Sequence, residues 1–292
     1  LGSDADPALW VVKDDDTTVY LFGTVHVLKS GTRWFDDGVR TAFDASDELV
    51  LEIARPDSAA IAALTAQLGT RGGPPFAPEV EAAARKLGMA DGATDKMEPW
   101  LAALTLSRLA VAKAGYASDA GVEAALSGAA EKAGKPVKAL ESVRGQLMLF
   151  DGLPGAAQSA MLDTTVKELP QAGERLERIV HAWGAGDAET VGVEVNRLAE
   201  TSPELADALI ARRNARWAEW IAERMNAPGI VFVAVGVEHF VGDGALTDQL
   251  ASKGLEVQRI SPSPAQTPPG TRGTGDGQAD RSPPAATAPP RH

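Results

Sequence analysis

Two of the four histidines, His26 and His239, sit in nearly the same local setting. One closes the run Tyr20-Leu21-Phe22-Gly23-Thr24-Val25-His26, the other the run Val233-Ala234-Val235-Gly236-Val237-Glu238-His239, each an apolar strand leading into Gly-x-x-His. Gly23 and Gly236 allow a bulge or a close backbone approach where a strand stops. The histidine then emerges at the carboxyl edge of a sheet, where open α/β sheets hold their ligands. Carboxylates occupy matching places: Glu52 ends Leu49-Val50-Leu51, and Glu141 follows Val137-Lys138-Ala139-Leu140. An acid at an apolar strand end is unfavourable unless it is paired, hydrogen-bonded or metal-bound. Alternation puts Glu52 on the face of Val50 and Glu48, and a water-facing edge position is the competing placement for both acids. Imidazole and carboxylate together suit a divalent metal that keeps open water positions. Such a metal acidifies bound water while a remaining carboxylate acts as base. The same groups can also move protons with no metal at all.

Arg213 falls inside the apolar stripe of Leu205, Leu209, Trp217 and Trp220 or Ile221, with Asn214 at its edge. A core-facing arginine needs an anion, so Glu52, Glu141 or a substrate carbonyl or carboxylate are its candidate partners, unless it snorkels past Trp217 to water. Asp119 reads as a helix N-cap, and Glu123 one turn on either complements the helix dipole or points into the cleft. His181, on an amphipathic stretch near Trp183, reads as a surface or packing residue, and His292 as part of the tail. Trp100, Trp217 and Trp220 read as core or cleft lining.

The elements that must position these groups are strands at both ends of the chain around a helical middle. Leu9–Val12 and Thr17–Phe22 flank an acidic turn, and Glu48–Ile53, Pro136–Leu140, Gly229–Val235 and Leu255–Ile260 complete the predicted strands. Helical spacing marks Pro78–Leu87, Glu98–Ala114, Ala120–Ala133, Pro154–Leu169 and Glu174–Trp183. A long helix is expected over Pro203–Asn226, capped by Ser202 and ended by Pro228-Gly229. This pattern predicts an α/β (α+β) fold, a central mixed sheet with a large helical insertion.

Composition sets the remaining bounds. The 292 residues, 44% of them hydrophobic, are enough for a real core. The absence of cysteine excludes disulfides, a Cys-ligated zinc, an iron–sulfur cluster and a cysteine nucleophile. A net charge of −12 argues against a general nucleic-acid-binding role, and no apolar run reaches the length of a membrane span. Residues 261–292 hold eight prolines and no hydrophobic residue but alanine, so the sequence predicts a disordered tail. Residues 1–7 read as a flexible N-terminus, and residues 8–260 as the folded domain. The chain begins with Leu1, which together with the lack of cysteine fits a periplasmic or secreted protein whose leader has been removed.

In order along residues 7–260, these segments resemble the TraB/GumN (TraB/PrgY) family. The resemblance is carried by Leu9-Trp10, both Gly-x-x-His runs, Leu51-Glu52, Gly121-Val122-Glu123, Gly134-Lys135-Pro136-Val137, Leu140-Glu141-Ser142 and Arg213-Asn214-Ala215-Arg216-Trp217. That family is similar to the membrane-anchored Tiki metalloproteases and belongs with the erythromycin esterase/ChaN-like fold. The resemblance implies an active site of His26, His239 and Glu52, supported by the polar groups Arg213 and Asn214, and an exported protein. With the residue reading it leads to a metal-dependent hydrolase, a peptidase above all, acting on a peptide or small-molecule substrate. His26, His239 and Glu52 are then the expected ligands of a divalent ion (Mn, Co or Zn), and Arg213 with Asn214 orient the substrate carbonyl. Gly23, Gly236, Glu141 and Glu123 support the site. Two alternatives use the same cleft: a non-catalytic protein that captures a small ligand, a peptide or haem, and a metal-free esterase in which His26 works with Glu52 as base.

Overall fold

The computed structural model describes residues 5–54, 58–201 and 203–260. A hairpin opens the fold: β1 (Leu9–Lys13) and β2 (Thr17–Thr24) pair antiparallel around a turn in which the Asp14 carboxylate accepts the backbone N–H of Asp16 and of Thr17. Then follow α1 (Asp37–Ala45), β3 (Glu48–Ile53), α2 (Ser58–Gly69), α3 (Pro78–Lys86), α4 (Pro99–Lys113), α5 (Val122–Ala133) and β4 (Val137–Glu141). The second half holds α6 (Val143–Asp151), α7 (Gly155–Glu168), α8 (Ala172–Gly184), α9 (Ala188–Thr201), α10 (Pro203–Ala206), α11 (Arg212–Arg224), β5 (Gly229–Gly236), α12 (Leu246–Ser252) and β6 (Gln258–Ile260).

The six strands form one mixed sheet in the order β4-β3-β5-β2-β1-β6. Strands β4, β3, β5 and β2 run parallel to one another, and β1 is antiparallel to both β2 and β6. Chain alternation sorts the apolar side chains onto two faces. Phe22, Leu49, Leu51, Phe232 and Ala234 pack with Phe43, Val122, Leu126 and Trp183 from α1, α5 and α8. Val19, Leu21, Val50, Val231, Val233 and Val235 pack with Trp217, Ile221, Leu246 and Leu250 from α11 and α12. Burial on both faces accounts for the unbroken apolar run of β5. A separate cluster, built on Val80, Ala84, Ala102, Leu106 and Leu162, holds α3, α4 and α7 of the insertion together. Among the described residues, no helix is long and apolar enough to cross a membrane.

Several expected elements take a different form. The helix expected over 203–226 is interrupted by a π-helical turn at Asp207–Ala211, which shifts the phase of the residues that follow. Its expected cap, Ser202, and the expected disordered tail, 261–292, lie outside the described residues. Helix α5 is capped by Gly121, not Asp119, because the chain enters the helix two residues later than the sequence suggests. Within the N-terminal segment 1–7, Ala5 is buried and its N–H donates to the carbonyl of Arg33, so packing begins before Ala8.

The entry to α5 is where the fold presses hardest on the site. The Val122 N–H donates to the carbonyl of Val25 at 3.1 Å, and a side chain at Gly121 would stand 2.1 Å from the carbonyl oxygen of His26. Gly128, in the same helix, has open space where a side chain would go. Gly121→Ala should therefore destabilise by about 1–3 kcal/mol, whereas Gly128→Ala should stabilise by about 0.5–1 kcal/mol. Thermal unfolding of the two variants checks the contrast.

Candidate active site

Three adjacent parallel strands, β2, β5 and β3, deliver the chemistry at their carboxyl ends. Glu52 is buried on the α11 face of β3, as alternation predicts, and both of its carboxylate oxygens accept hydrogen bonds. Its Oε1 accepts the Gly236 N–H at 2.7 Å, and its Oε2 accepts Gln146 Nε2 at 2.8 Å and Arg213 Nη2 at 2.5 Å. Arg213 also donates from Nε to both oxygens of Glu141, at 3.2 and 3.1 Å, and from Nη1 to the carbonyl of Leu209 at 3.0 Å. Its plane lies 4.6 Å over the Trp217 ring, and Arg216 closes the network on Glu141 at 3.1 Å.

His239 lies inside this network with none of its side chain exposed. The Asn214 amide donates to two carbonyls, those of His239 at 3.1 Å and Gly244 at 2.9 Å, which fixes its orientation and turns its oxygen toward the ring. The His239 Nδ1–H therefore donates to Asn214 Oδ1 at 2.7 Å, and Nε2 accepts Arg213 Nη1 at 3.1 Å. Burial disfavours the imidazolium, and Arg213 and His26 add to that against the pull of Glu52, so the His239 pKa falls to about 3. Burial also opposes the Glu52 charge, but His239, Arg213, His26 and the Gly236 N–H prevail and bring its pKa down to about 2.

His26 has the opposite fate. Its side chain is 59% exposed, and Nδ1 lies 2.6 Å from Glu123 Oε1, an oxygen that Thr24 Oγ1 also donates to. Its Nε2 faces Glu238 Oε1 at 3.9 Å, beyond a direct hydrogen bond and within the span of one water bonded to both. Desolvation lowers the His26 pKa, but the charge and hydrogen bond of Glu123, then Glu238 and Glu52, raise it to about 10. Burial, with repulsion from Glu52, outweighs the attraction of His26 and pushes Glu238 above the ordinary range. Burial likewise raises Glu123, yet His26 and Thr24 hold it below.

The two Gly-x-x-His runs are thus not equivalent. In the first, His26 looks into a cleft of about 490 Å³ whose floor also includes Glu52, Gln146, Arg213 and Glu238. In the second, a tight turn at Val237–Phe240 sends His239 under the floor and leaves Glu238 half-buried beside the cleft. Gly236 permits this, since the Glu238 carboxyl folds back over the place its side chain would fill. Leu149 and Phe150 of α6, Ile179 of α8, Val191 of α9 and Ile210 form apolar walls. A larger cavity of about 770 Å³, beside Leu87, Lys113 and Tyr116, contains none of these groups.

The structure therefore gathers the residues singled out by sequence into two tiers. Glu52, Glu141, Arg213, Asn214 and His239 make the lower one, and His26 with Glu123 the upper. Asn214 has no exposed surface and spends its amide on His239 and Gly244, so it does not reach a substrate carbonyl. Arg213 likewise spends its donors within the protein. The expected metal ligands His26, Glu52 and His239 do not fit such an ion as a set: His239 Nε2 gives its lone pair to Arg213, and Glu52 Oε2 is bonded to a guanidinium. Among the described residues, no group of three or more His, Asp or Glu side chains is placed to hold a metal. Glu238, Thr24 and Gln146 were missed. Glu238 had a signal, an acid inside the second Gly-x-x-His run, whereas Gln146 had none.

An α/β sheet with a polar cleft across the carboxyl ends of its strands defines the class of this protein. Residues 8–259 match the TraB/PrgY/gumN family, and the chain belongs to it. No curated protein and no solved structure matches the chain.

The lower tier should govern acid stability. Unfolded, His239 takes up a proton below about pH 6.5, while folded it resists until about 3. Stability is therefore present above pH 6.5 and falls as pH drops through that interval. In His239→Asn the slope of Tm between pH 6.5 and 4.5 should flatten, above the range where Glu52 titrates. Arg213→Met, which leaves Glu52 and Glu141 facing each other without their cation, should lower stability by about 3–5 kcal/mol in a denaturant titration.

Proposed function

We propose that the cleft is a hydrolytic active site that transfers an acyl group, from a peptide or ester bond, to water. The observation that carries this is the facing pair at its floor: a solvent-accessible His26 held in one orientation by Glu123, with Nε2 3.9 Å from the Glu238 carboxylate. A water bridging the two meets a base on one side and an acid on the other. Glu238, its pKa raised, accepts a proton as the water oxygen bonds to the acyl carbon. The bond from that carbon to the leaving nitrogen or oxygen then breaks, and the His26 Nε2 proton goes to the leaving atom. Proton return from Glu238 to His26 restores both groups. An imidazolium with a pKa near 10 remains charged at neutral pH, so it also stabilises negative charge developing on the substrate.

Glu52 acts beneath this pair. Held as an anion by Arg213, Gln146 and Gly236, it keeps negative charge close to His26 and fixes the β5 end from which Glu238 projects. The route uses only these side chains, since the set His26, Glu52 and His239 does not suit a metal.

Purified protein screened on chromogenic peptide anilides and esters should show turnover that persists in EDTA. His26→Ala and Glu238→Gln should each lower kcat by about 10²-fold or more. Loss of activity in EDTA with recovery in Mn, Co or Zn would overturn the metal-free route, and turnover unaltered by both variants would overturn the site. The pH profile of kcat/KM should be a bell whose alkaline limb lies near 10, where His26 loses its proton. Its acid limb should lie above the ordinary glutamate range. Glu123→Gln should move the alkaline limb down toward the ordinary histidine value.

A further inference from the structure

We infer that the cleft continues into a second compartment that holds an apolar tail of the substrate. The inference rests on the hydrolytic reading of the floor. A second cavity, of about 290 Å³, shares Phe150, Arg175, Glu194 and Leu209 with the cleft, so these residues stand on the boundary between the two. Beyond them it is walled by Leu104 of α4, Met161 of α7 and Leu205 of α10. It contains none of the acid–base residues, so it serves as a binding volume and not as a second reaction centre.

Three features say what kind of group fits. The boundary is shaped by fixed parts: Phe150 stacks on the buried Trp100 at 6.2 Å, and Leu209 belongs to the π-helical turn whose carbonyl holds Arg213. The charges on the boundary are matched, since Arg175 bonds to Glu168 at 2.7 Å and approaches Glu194 at 3.5 Å. A charged tail would have to break those pairs, whereas a neutral one need not. Arg197 is paired as well, with Glu194 at 3.4 Å and Glu168 at 3.8 Å. Apart from these charges and the hydroxyls of Thr164 and Thr165, the wall is aliphatic, aromatic and thioether, which favours an apolar group by desolvation and contact. Such a tail is either a hydrocarbon chain or a large apolar amino-acid side chain.

Two substrate series distinguish these sources. One is the 4-nitrophenyl esters of straight-chain acids from acetate to decanoate, the other the 4-nitrophenyl esters of N-acetylated glycine, leucine and phenylalanine. In the arm that matches the natural tail, kcat/KM should rise by up to about fourfold per buried CH₂ until the compartment is full. Met161→Trp should shift the preferred tail to a shorter one and Met161→Ala to a longer one. Opposite shifts from one position are not produced by misfolding. The same variants should change the affinity of inactive His26→Ala protein for dansyl-undecanoate or dansyl-leucine, read by fluorescence. Binding that responds to Met161 without turnover would uphold the compartment and refute the hydrolase. A size preference in neither series, or one that neither Met161 variant moves, together with probe binding indifferent to residue 161, would overturn the compartment whatever the activity.

Discussion

Arg213 is a cation enclosed beneath the carboxyl ends of β3 and β5, and a lone guanidinium in that place would be strongly destabilising. It is tolerated because Glu52 and Glu141 arrive from adjacent strands, Leu209 offers a carbonyl, and the ring of Trp217 lies alongside. Removing either acid leaves a buried guanidinium with one counter-charge and an unfilled donor, so the network fixes the height of β3 against α11. A second pair on the same two elements does the same at the far end, where Glu48 meets Arg224 at 3.3 Å. The spacings agree: Glu48 and Glu52 stand about 13 Å apart along the strand, and Arg213 and Arg224 about 16 Å apart along the helix. Helix and strand are locked in register by charge as well as by the apolar contacts between them.

From that lock follows the division of labour between two near-identical sequence runs. With Arg213 in place, the lone pair of one imidazole is taken and its ring is held neutral beneath the floor, a wedge between Asn214 and the guanidinium. The other imidazole meets only acids and keeps its proton. One residue type is thus driven to opposite charge states a short distance apart, by desolvation beside a cation in one case and by neighbouring carboxylates in the other. The acid next to the buried ring, Glu238, inherits the place in the cleft that the symmetry of the two runs would have given to His239.

Much of the fold was legible in the chain. The apolar run of β5, the alternation that sets Glu52 beside Val50, and the acidic hairpin turn all follow from local chemistry. The involvement of Arg213 was legible as well, because an arginine in an apolar stripe demands an anion, and both acids it meets were among its candidate partners. The direction of each side chain at a strand end was not legible. It depends on whether the next residues continue extended or tighten into a turn, and the tight turn after Gly236 exchanges the roles of positions 238 and 239. The π-helical turn before Arg212 is equally invisible to a periodicity argument, which assumes one constant repeat. Gln146 reaches Glu52 from a helix far along the chain, and no spacing in the sequence could join them.

The most direct measurement is the ring ¹⁵N and ¹³C titration of the histidines by NMR, with signals assigned by replacing each in turn. His239 should remain neutral, with its proton on Nδ1, to about pH 3, while His26 should remain an imidazolium up to about pH 10. If both rings instead titrate near 6.5, the charged network beneath the sheet and the acid–base pair above it are both contradicted.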